Sequence, residues 1–378
     1  KNLTFKKKKY WNLNNFSEKK GLILKDHIKE IRKILINSVK IRVRSDVKNI
    51  FSLSGGVDSG GLVSISSKIL KKKTDTYSII DAQSKKYNES DLIEKTLKDT
   101  KAKKNFLKVK KIFLFKEINQ ITNYFSSPVL TINYLLHSLM LKDVSKKGYK
   151  VILSGNGADE IFGGYYDHYI LHLLDLNKRS NIFKINYDNW KKYILKFIRN
   201  PKYKKIKKPK ENELISVNDS FSHLIKKTEK LKIHSIKKTK SHLKNALIFQ
   251  LRERLSASLY QEDLNSMMYS VENRAPFLDR RLIEKVFSIP SKYFIINGFS
   301  KYLLRASLKG ILNRKVLFAR EKKGFNASLS SFKDVNQKSV LNHITTNEKK
   351  LSRILYVKKI KKYIKELNFD ALFLHPSV

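Results

Sequence analysis

Two hydroxyls, two glycines and a carboxylate fall within Ser54-Gly55-Gly56-Val57-Asp58-Ser59, directly after the apolar residues Ile50, Phe51 and Leu53. An apolar run of that length suits a buried parallel strand, and Leu62 to Leu70 continues with apolar residues at helical spacing, so the segment reads strand, turn, helix. Gly55 and Gly56 permit positive φ and close approach of backbone to a ligand, while N–H groups at the start of the following helix point at anything anionic. Phosphate oxygens suit that arrangement. Asp58 repels a phosphate and is therefore read as the holder of a magnesium ion that bridges its oxygens. A lone Ser-Gly-Gly would be read more simply, as a glycine turn.

A second turn of this kind follows Val151-Ile152-Leu153: Ser154-Gly155-Asn156-Gly157-Ala158-Asp159-Glu160, with Gly163-Gly164-Tyr165 beyond. In a doubly wound sheet, turns at the carboxyl ends of parallel strands face one crevice. Asp58 and Asp159 are then expected to share one magnesium. Charge stabilisation at a helix N-terminus is the competing account of Asp159 and Glu160. Two more stretches come later. Asp263-Leu264-Asn265-Ser266-Met267-Met268 leads to Ser270-Val271-Glu272-Asn273-Arg274-Ala275-Pro276-Phe277-Leu278-Asp279; Lys301-Tyr302-Leu303-Leu304-Arg305 leads to Arg320-Glu321-Lys322-Lys323-Gly324-Phe325.

In this order the four motifs resemble the synthetase domain of glutamine-dependent asparagine synthetases, and the first loop resembles the pyrophosphate loop of the N-type ATP pyrophosphatases. The resemblance runs from about Ile23 to Lys333, and Tyr10-Trp11-Asn12-Leu13 is similar to the link that follows the glutaminase domain in that family. It implies an α/β fold: a doubly wound parallel sheet of the adenine-nucleotide alpha hydrolase (PP-loop ATPase) type with a largely helical C-terminal part. Residues 1–20 are then the remnant of a linker from a missing glutaminase domain, and 21–378 the synthetase-like domain, with its α/β core at about 21–165 and its helical part at about 166–378.

The resemblance also implies roles. Ser54, Gly55, Gly56, Asp58 and Ser59 match the positions that hold the pyrophosphate of ATP and its magnesium; Leu53, Ile79, Ser154 and Gly155 match positions at the adenosine; Asp159 matches the second magnesium carboxylate. Lys322, third in Arg-x-Lys, matches a lysine that stabilises charge on the phosphates, so Asp58, Asp159 and Lys322 form the expected catalytic set. Asn156, Glu272 and Arg274 are candidates for the acceptor side. A carboxylate is a poor electrophile for ammonia, so it first takes AMP from ATP, releasing pyrophosphate, and ammonia then displaces AMP. Positioning and charge stabilisation are the protein's share of such a reaction. Aspartate is the expected acceptor and asparagine the product, as in asparagine biosynthesis.

Two departures bear on that expectation. Asparagine synthetases typically carry Glu where this chain has Asn156, and an amide exchanges hydrogen bonds but does not take a proton. Relatives that amidate another carboxylate, such as a uronic acid in surface polysaccharides, have a segment similar to Gly164-Tyr165-Tyr166-Asp167-His168-Tyr169, and they supply the alternative reading. The second departure is the absence of cysteine, since the family's glutaminase domain uses an N-terminal cysteine as nucleophile. Ammonia is accordingly expected from a missing or separate glutaminase domain.

Composition frames these readings. The 378 residues are 41% hydrophobic, enough for a sizeable core, and no apolar run reaches the roughly 20 residues of a membrane helix. Without cysteine, a cytoplasmic location is expected, and a homodimer is allowed for. Lys and Arg total 80 against 33 acids, a net charge of +47. The lysines are spread along the chain among many Asn and Ile, a pattern of compositional drift more than of a nucleic-acid site, and the best local candidate for such a site is Arg199 to Lys210. An inactive relative that binds polyanions is the third reading. Expected strands are Asn49 to Leu53, Thr76 to Ile80, Phe106 to Val109 and Lys150 to Leu153, with helices at Asp91 to Leu97, Leu243 to Leu259 and Leu303 to Leu312. His168 and His172, four apart with Asp175 beyond, leave a metal conceivable there.

Overall fold

Ile31, Leu35, Ser38 and Val39 repeat at helical spacing and form the buried stripe of α1 (Leu24–Arg42), which leads into the first strand. The structure, a computed structural model, describes residues 8, 10–13, 22–81, 88–109, 112–129, 131–198, 204–205, 224, 226, 239–320 and 335–366. After α1 come β1 (Asn49–Ser52), α2 (Val57–Ser64), β2 (Asp75–Asp81), α3 (Ser90–Thr100), β3 (Lys103–Val109), α4 (Leu114–Phe125), α5 (Asn133–Lys146) and β4 (Val151–Leu153). Helices α6 (Ala158–Phe162), α7 (Tyr166–Asp175), α8 (Asn181–Asn189), α9 (His242–Phe249) and α10 (Leu255–Met267) follow, then β5 (Glu272–Arg274), α11 (Arg280–Phe287) and α12 (Tyr302–Ser307).

The strands form one parallel sheet in the order β3-β2-β1-β4-β5. Chain order runs one way from β1 to β3 and resumes on the other side of β1 with β4, so the switch point lies between β1 and β4. Ligand crevices in open parallel sheets open there. Alternation along the strands feeds two cores. Phe51, Leu53, Val151 and Leu153 pack into the larger one with Ile31, Leu35 and Leu62, whereas Ile50, Tyr77 and Ile152 face Met140, Leu141 and Val144 of α5. Both faces are covered, as a doubly wound parallel sheet requires.

The four expected strands are all present. A fifth, β5, is not among the expected strands, because Glu272-Asn273-Arg274 is short, polar and at the sheet edge, without an apolar run to announce it. Expected helices are found with shifted ends: Asp91 to Leu97 lies within α3, Leu243 to Leu259 spans α9 and the start of α10, and Leu303 to Leu312 shortens to α12. The segment Leu62 to Leu70 is helical, its second half in wider π-type turns. Near the start, Leu13 is buried in the main core and the Trp11 indole N–H donates to Glu284 Oε1 at 2.9 Å, so this stretch docks against α11. No described helix is long and apolar enough to cross a membrane.

Candidate active site

The turn between β1 and α2 is held by its own hydroxyls. Ser54 N–H donates to Ser59 Oγ at 3.0 Å, the two hydroxyl oxygens lie 2.9 Å apart, and Gly56 N–H donates to Ser54 Oγ at 3.3 Å. Neither Gly55 nor Gly56 uses the left-handed backbone that the sequence reading allowed for. Space is what they provide: a Cβ on Gly55 would lie 3.0 Å from the Cβ atoms of Glu89 and Leu92. Gly55 N–H donates to Glu89 Oε2 at 3.0 Å, so a carboxylate oxygen takes the place in which an anionic oxygen would be received. Leu53 is fully buried and donates its N–H to Tyr77 O at 2.8 Å; Ile79 lies half-buried on β2.

The turn after β4 sits directly against the first. A Cβ on Gly155 would lie 3.1 Å from Asp58 Cβ and 3.4 Å from Ser59 N, a closeness that excludes larger residues. Gly157 adopts φ 86°, which starts the short helix α6 with Asp159 in its first turn. Asp58, in the first turn of α2, and Asp159 converge as the sequence reading expected. What lies between them is Lys301, with Nζ 2.6 Å from Asp58 Oδ2 and 2.7 Å from Asp159 Oδ1. Burial disfavours the ammonium charge, but Asp159 and Asp58 outweigh that cost and hold its pKa above the usual lysine value. Gly164 closes this cluster, since a Cβ there would lie 1.8 Å from Asp159 Oδ1 and 2.1 Å from Lys301 Cε. Lys301 begins the motif Lys301-Tyr302-Leu303-Leu304-Arg305, for which the sequence suggests no role.

A second polar cluster adjoins the first through the same loop. Ser154 Oγ donates to Asn273 Oδ1 at 3.0 Å, Asn273 Nδ2 donates to Glu262 Oε2 at 3.1 Å, and Asn156 Nδ2 donates to that same oxygen. Burial pushes the Glu262 carboxyl up to about 7 against the lowering effect of the two amides. His137 Nδ1 stands 4.0 Å from Glu262 Oε1, and burial lowers His137 to about 4, so it stays neutral. Next to the loop, Tyr165 OH donates to Glu160 Oε1 at 2.5 Å, and burial raises that hydroxyl.

Glu272 and Arg274 stand one residue either side of Asn273. The Arg274 guanidinium bonds Glu272 at 2.9 and 3.0 Å and donates to Arg42 O and Arg44 O at 2.9 and 2.6 Å. With Arg42, Asp263, Asn273 and Leu278 they line a cleft of about 700 Å³. Thus Asn273, not its two charged neighbours, is the β5 side chain that bonds into the Ser154 loop. Lys322 and the segment Glu321 to Phe325 lie outside the described residues, as do most of Arg199 to Lys210. The conceivable metal at His168, His172 and Asp175 is overturned. His168 Nε2 pairs with Gln250 at 2.8 Å and its Nδ1 accepts from Tyr165 N, His172 is fully buried, and Asp175 receives Ser241 Oγ and the N–H of His242 at the start of α9.

A magnesium ion fits the first cluster. Asp58 Oδ1 is buried with no hydrogen-bond partner among the described residues, and Asp58 and Asp159 already converge on a cation. No cluster of three or more metal-binding side chains exists among the described residues. Magnesium commonly takes just one or two protein carboxylates and completes its shell from phosphates and water.

The asparagine synthase family pattern matches residues 30–371. Asparagine synthetase [glutamine-hydrolyzing] 1 of Bacillus subtilis is 27% identical over 79% of this chain and 49% of its own length, and asparagine synthetase [glutamine-hydrolyzing] 3 of the same organism is 26% identical over 92% and 57%. Hence the chain spans about half the length of the curated relatives it matches. A much slighter likeness links 49% of this chain with 91% of the NH3-dependent NAD synthetase of Campylobacter jejuni, at 14% identity and a TM-score of 0.26. With paired glycine loops at the switch point and a family match over most of its length, the chain belongs to the asparagine synthase family.

Proposed function

We propose that this chain activates a carboxylate with ATP and passes the acyl group to ammonia, aspartate to asparagine being the first reading. The observation that carries it is the abutment of two glycine loops that bring Asp58 and Asp159 onto one cation site. Ser54, Gly55, Gly56, Ser59 and the start of α2 would receive the pyrophosphate of ATP, with Leu53, Ile79, Ser154 and Gly155 toward the adenosine. Asp58 and Asp159 would hold magnesium, which when bound supplies positive charge to the phosphate oxygens. Lys301, buried and cationic at neutral pH, bridges the two carboxylates and adds charge of the same sign as the metal; Lys322 would stabilise charge on the phosphates, the role that the family resemblance implies for it. Attack of the carboxylate on the α-phosphorus releases pyrophosphate and leaves an acyl-adenylate. Ammonia then forms the C–N bond as the bond to AMP breaks. Glutamine as the ultimate nitrogen source, and a cytoplasmic location, belong to this reading of the whole protein.

A second acceptor, such as a uronic acid, is favoured by Asn156, whose amide is committed to Glu262. Pyrophosphate release from ATP, magnesium and ammonium separates the two when measured with aspartate, with glucuronate and with neither, beside an Asp58→Ala control. Aspartate-dependent release that the control abolishes is expected. Release with glucuronate alone moves the acceptor to uronic acids, and release with neither carboxylate overturns both.

A further inference from the structure

Amide formation from an acyl-adenylate and ammonia liberates a proton, and a site that performs it needs a group to take that proton. The carboxylates of the first cluster are poorly suited. Asp58 and Asp159 are both held by the ammonium of Lys301, and Glu160 accepts the hydroxyl of Tyr165. Among the described residues, one more carboxylate reaches the Ser154 loop, from a different element. Glu262 on α10 extends to Asn156, and Ser154, Asn273, Glu262 and Asn156 form a chain of contacts that leaves the Ser154 loop and returns to it two residues later. The side chain is 13% exposed, shielded yet reachable, and its neighbour Asn273 lines the cleft.

Resting on the function proposed above, we infer that Glu262 is the group that binds the nitrogen nucleophile as ammonium and takes its protons, the acidic side chain that Asn156 cannot be. Asn156 and Asn273 are positioning residues that aim one carboxylate oxygen through their amides, leaving Oε1 toward His137. Ammonium gives one proton to a Glu262 oxygen and becomes ammonia. Its lone pair attacks the acyl carbon, the C–N bond forms, and AMP departs with the electrons of the broken C–O bond. The second proton, from the nitrogen of the new amide, passes to Glu262 once the first has left to solvent. A carboxyl raised to about 7 fits this role, since it is a far stronger base than an ordinary glutamate. Among the described residues, the titratable groups facing it are His137, neutral at these pH values, and Tyr134, both from α5, while the β4 loop and β5 present amides.

The test compares two half-reactions in the whole chain and in Glu262→Gln, with L-aspartate and D-glucuronate as trial carboxylates. Isotope exchange between pyrophosphate and ATP reports activation; product formation from ammonium chloride or from hydroxylamine reports nitrogen transfer. Hydroxylamine is neutral near neutral pH and needs no base to expose its lone pair. Glu262→Gln is expected to retain exchange and hydroxamate formation within about two-fold while amide formation from ammonium falls about 100-fold. Adding Asn156→Glu to that variant is expected to restore part of the loss. Unchanged amide formation, an equal fall with both nucleophiles, or loss of exchange in Glu262→Gln overturns the assignment. Absence of exchange in the parent with either carboxylate overturns the activation reading, and the role of Glu262 with it.

Discussion

Lys301 takes a left-handed backbone, φ 52°, to bring its ammonium between Asp58 and Asp159. Removing one partner of a buried charge cluster leaves the others uncompensated, so Lys301→Met is expected to lose about 3 kcal/mol of stability and the ATP-dependent reaction, read by urea unfolding and pyrophosphate release. Gly164→Ala is expected to cost about 1–3 kcal/mol by overpacking and to inactivate the chain, because its Cβ would displace the Asp159 carboxylate. A folded, active Gly164→Ala would show that Asp159 need not sit where it does. At this scale Asp58 and Asp159 were legible because glycines surround them in sequence as they do in space. Lys301 was not, being one of 80 basic residues with no local signal of its partners. Glu262 precedes the motif that begins at Asp263, and its value depends on Asn156, more than 100 residues earlier.

The sheet was legible wherever a strand is apolar, since buried parallel strands read as continuous runs. β5 escaped because an edge strand of three polar residues carries no period, and it is the pairing Leu153↔Arg274 that brings Asn273 beside Ser154. Among the elements beyond the sheet, Arg320 shows how the chain is anchored just before the Lys322 segment. Its guanidinium lies 3.7 Å from the Phe299 ring centre and 4.1 Å from that of Tyr193, and it donates to Asn297 O at 3.1 Å. Such stacking on two rings is worth about 1–2 kcal/mol when shielded from water. Arg320→Ala is expected to lose about that much in urea unfolding, with Arg320→Lys between the two. An Arg320→Ala chain as stable as the parent would remove the two rings from the account.

At the scale of the molecule, the α/β class followed from the alternation of strands and helices, whereas the switch point needed the strand order of the structure, and the effect of the charge was not legible either. His172 is buried and His137 half-buried, and removal from water lowers both to about 4. The unfolded chain therefore binds protons that the folded chain refuses between about pH 4 and about 6.5. Their contribution is complete above that window and lost as pH falls through it, on the order of 2–3 kcal/mol for each. Glu262, raised to about 7, acts with the opposite sign: its contribution is present below its ordinary range and fades as pH rises toward 7. His172→Gln is expected to flatten the acid side of a plot of urea midpoint against pH, and Glu262→Gln to steepen it. A net charge of +47 repels itself, so raising sodium chloride from about 0.05 to about 0.5 M is expected to raise the melting temperature. The pairing of β4 with β5 has a kinetic consequence. Val151 meets Glu272 across 121 residues, and α1 packs on α12, which begins at Tyr302. During synthesis the glycine turn after β1 leaves the ribosome long before the surfaces that pack around it, so the nascent chain must carry an unfinished sheet edge until most of its length has emerged. Closing contacts so distant in sequence is slow, which makes this the stage at which the chain is most open to aggregation and to chaperone capture.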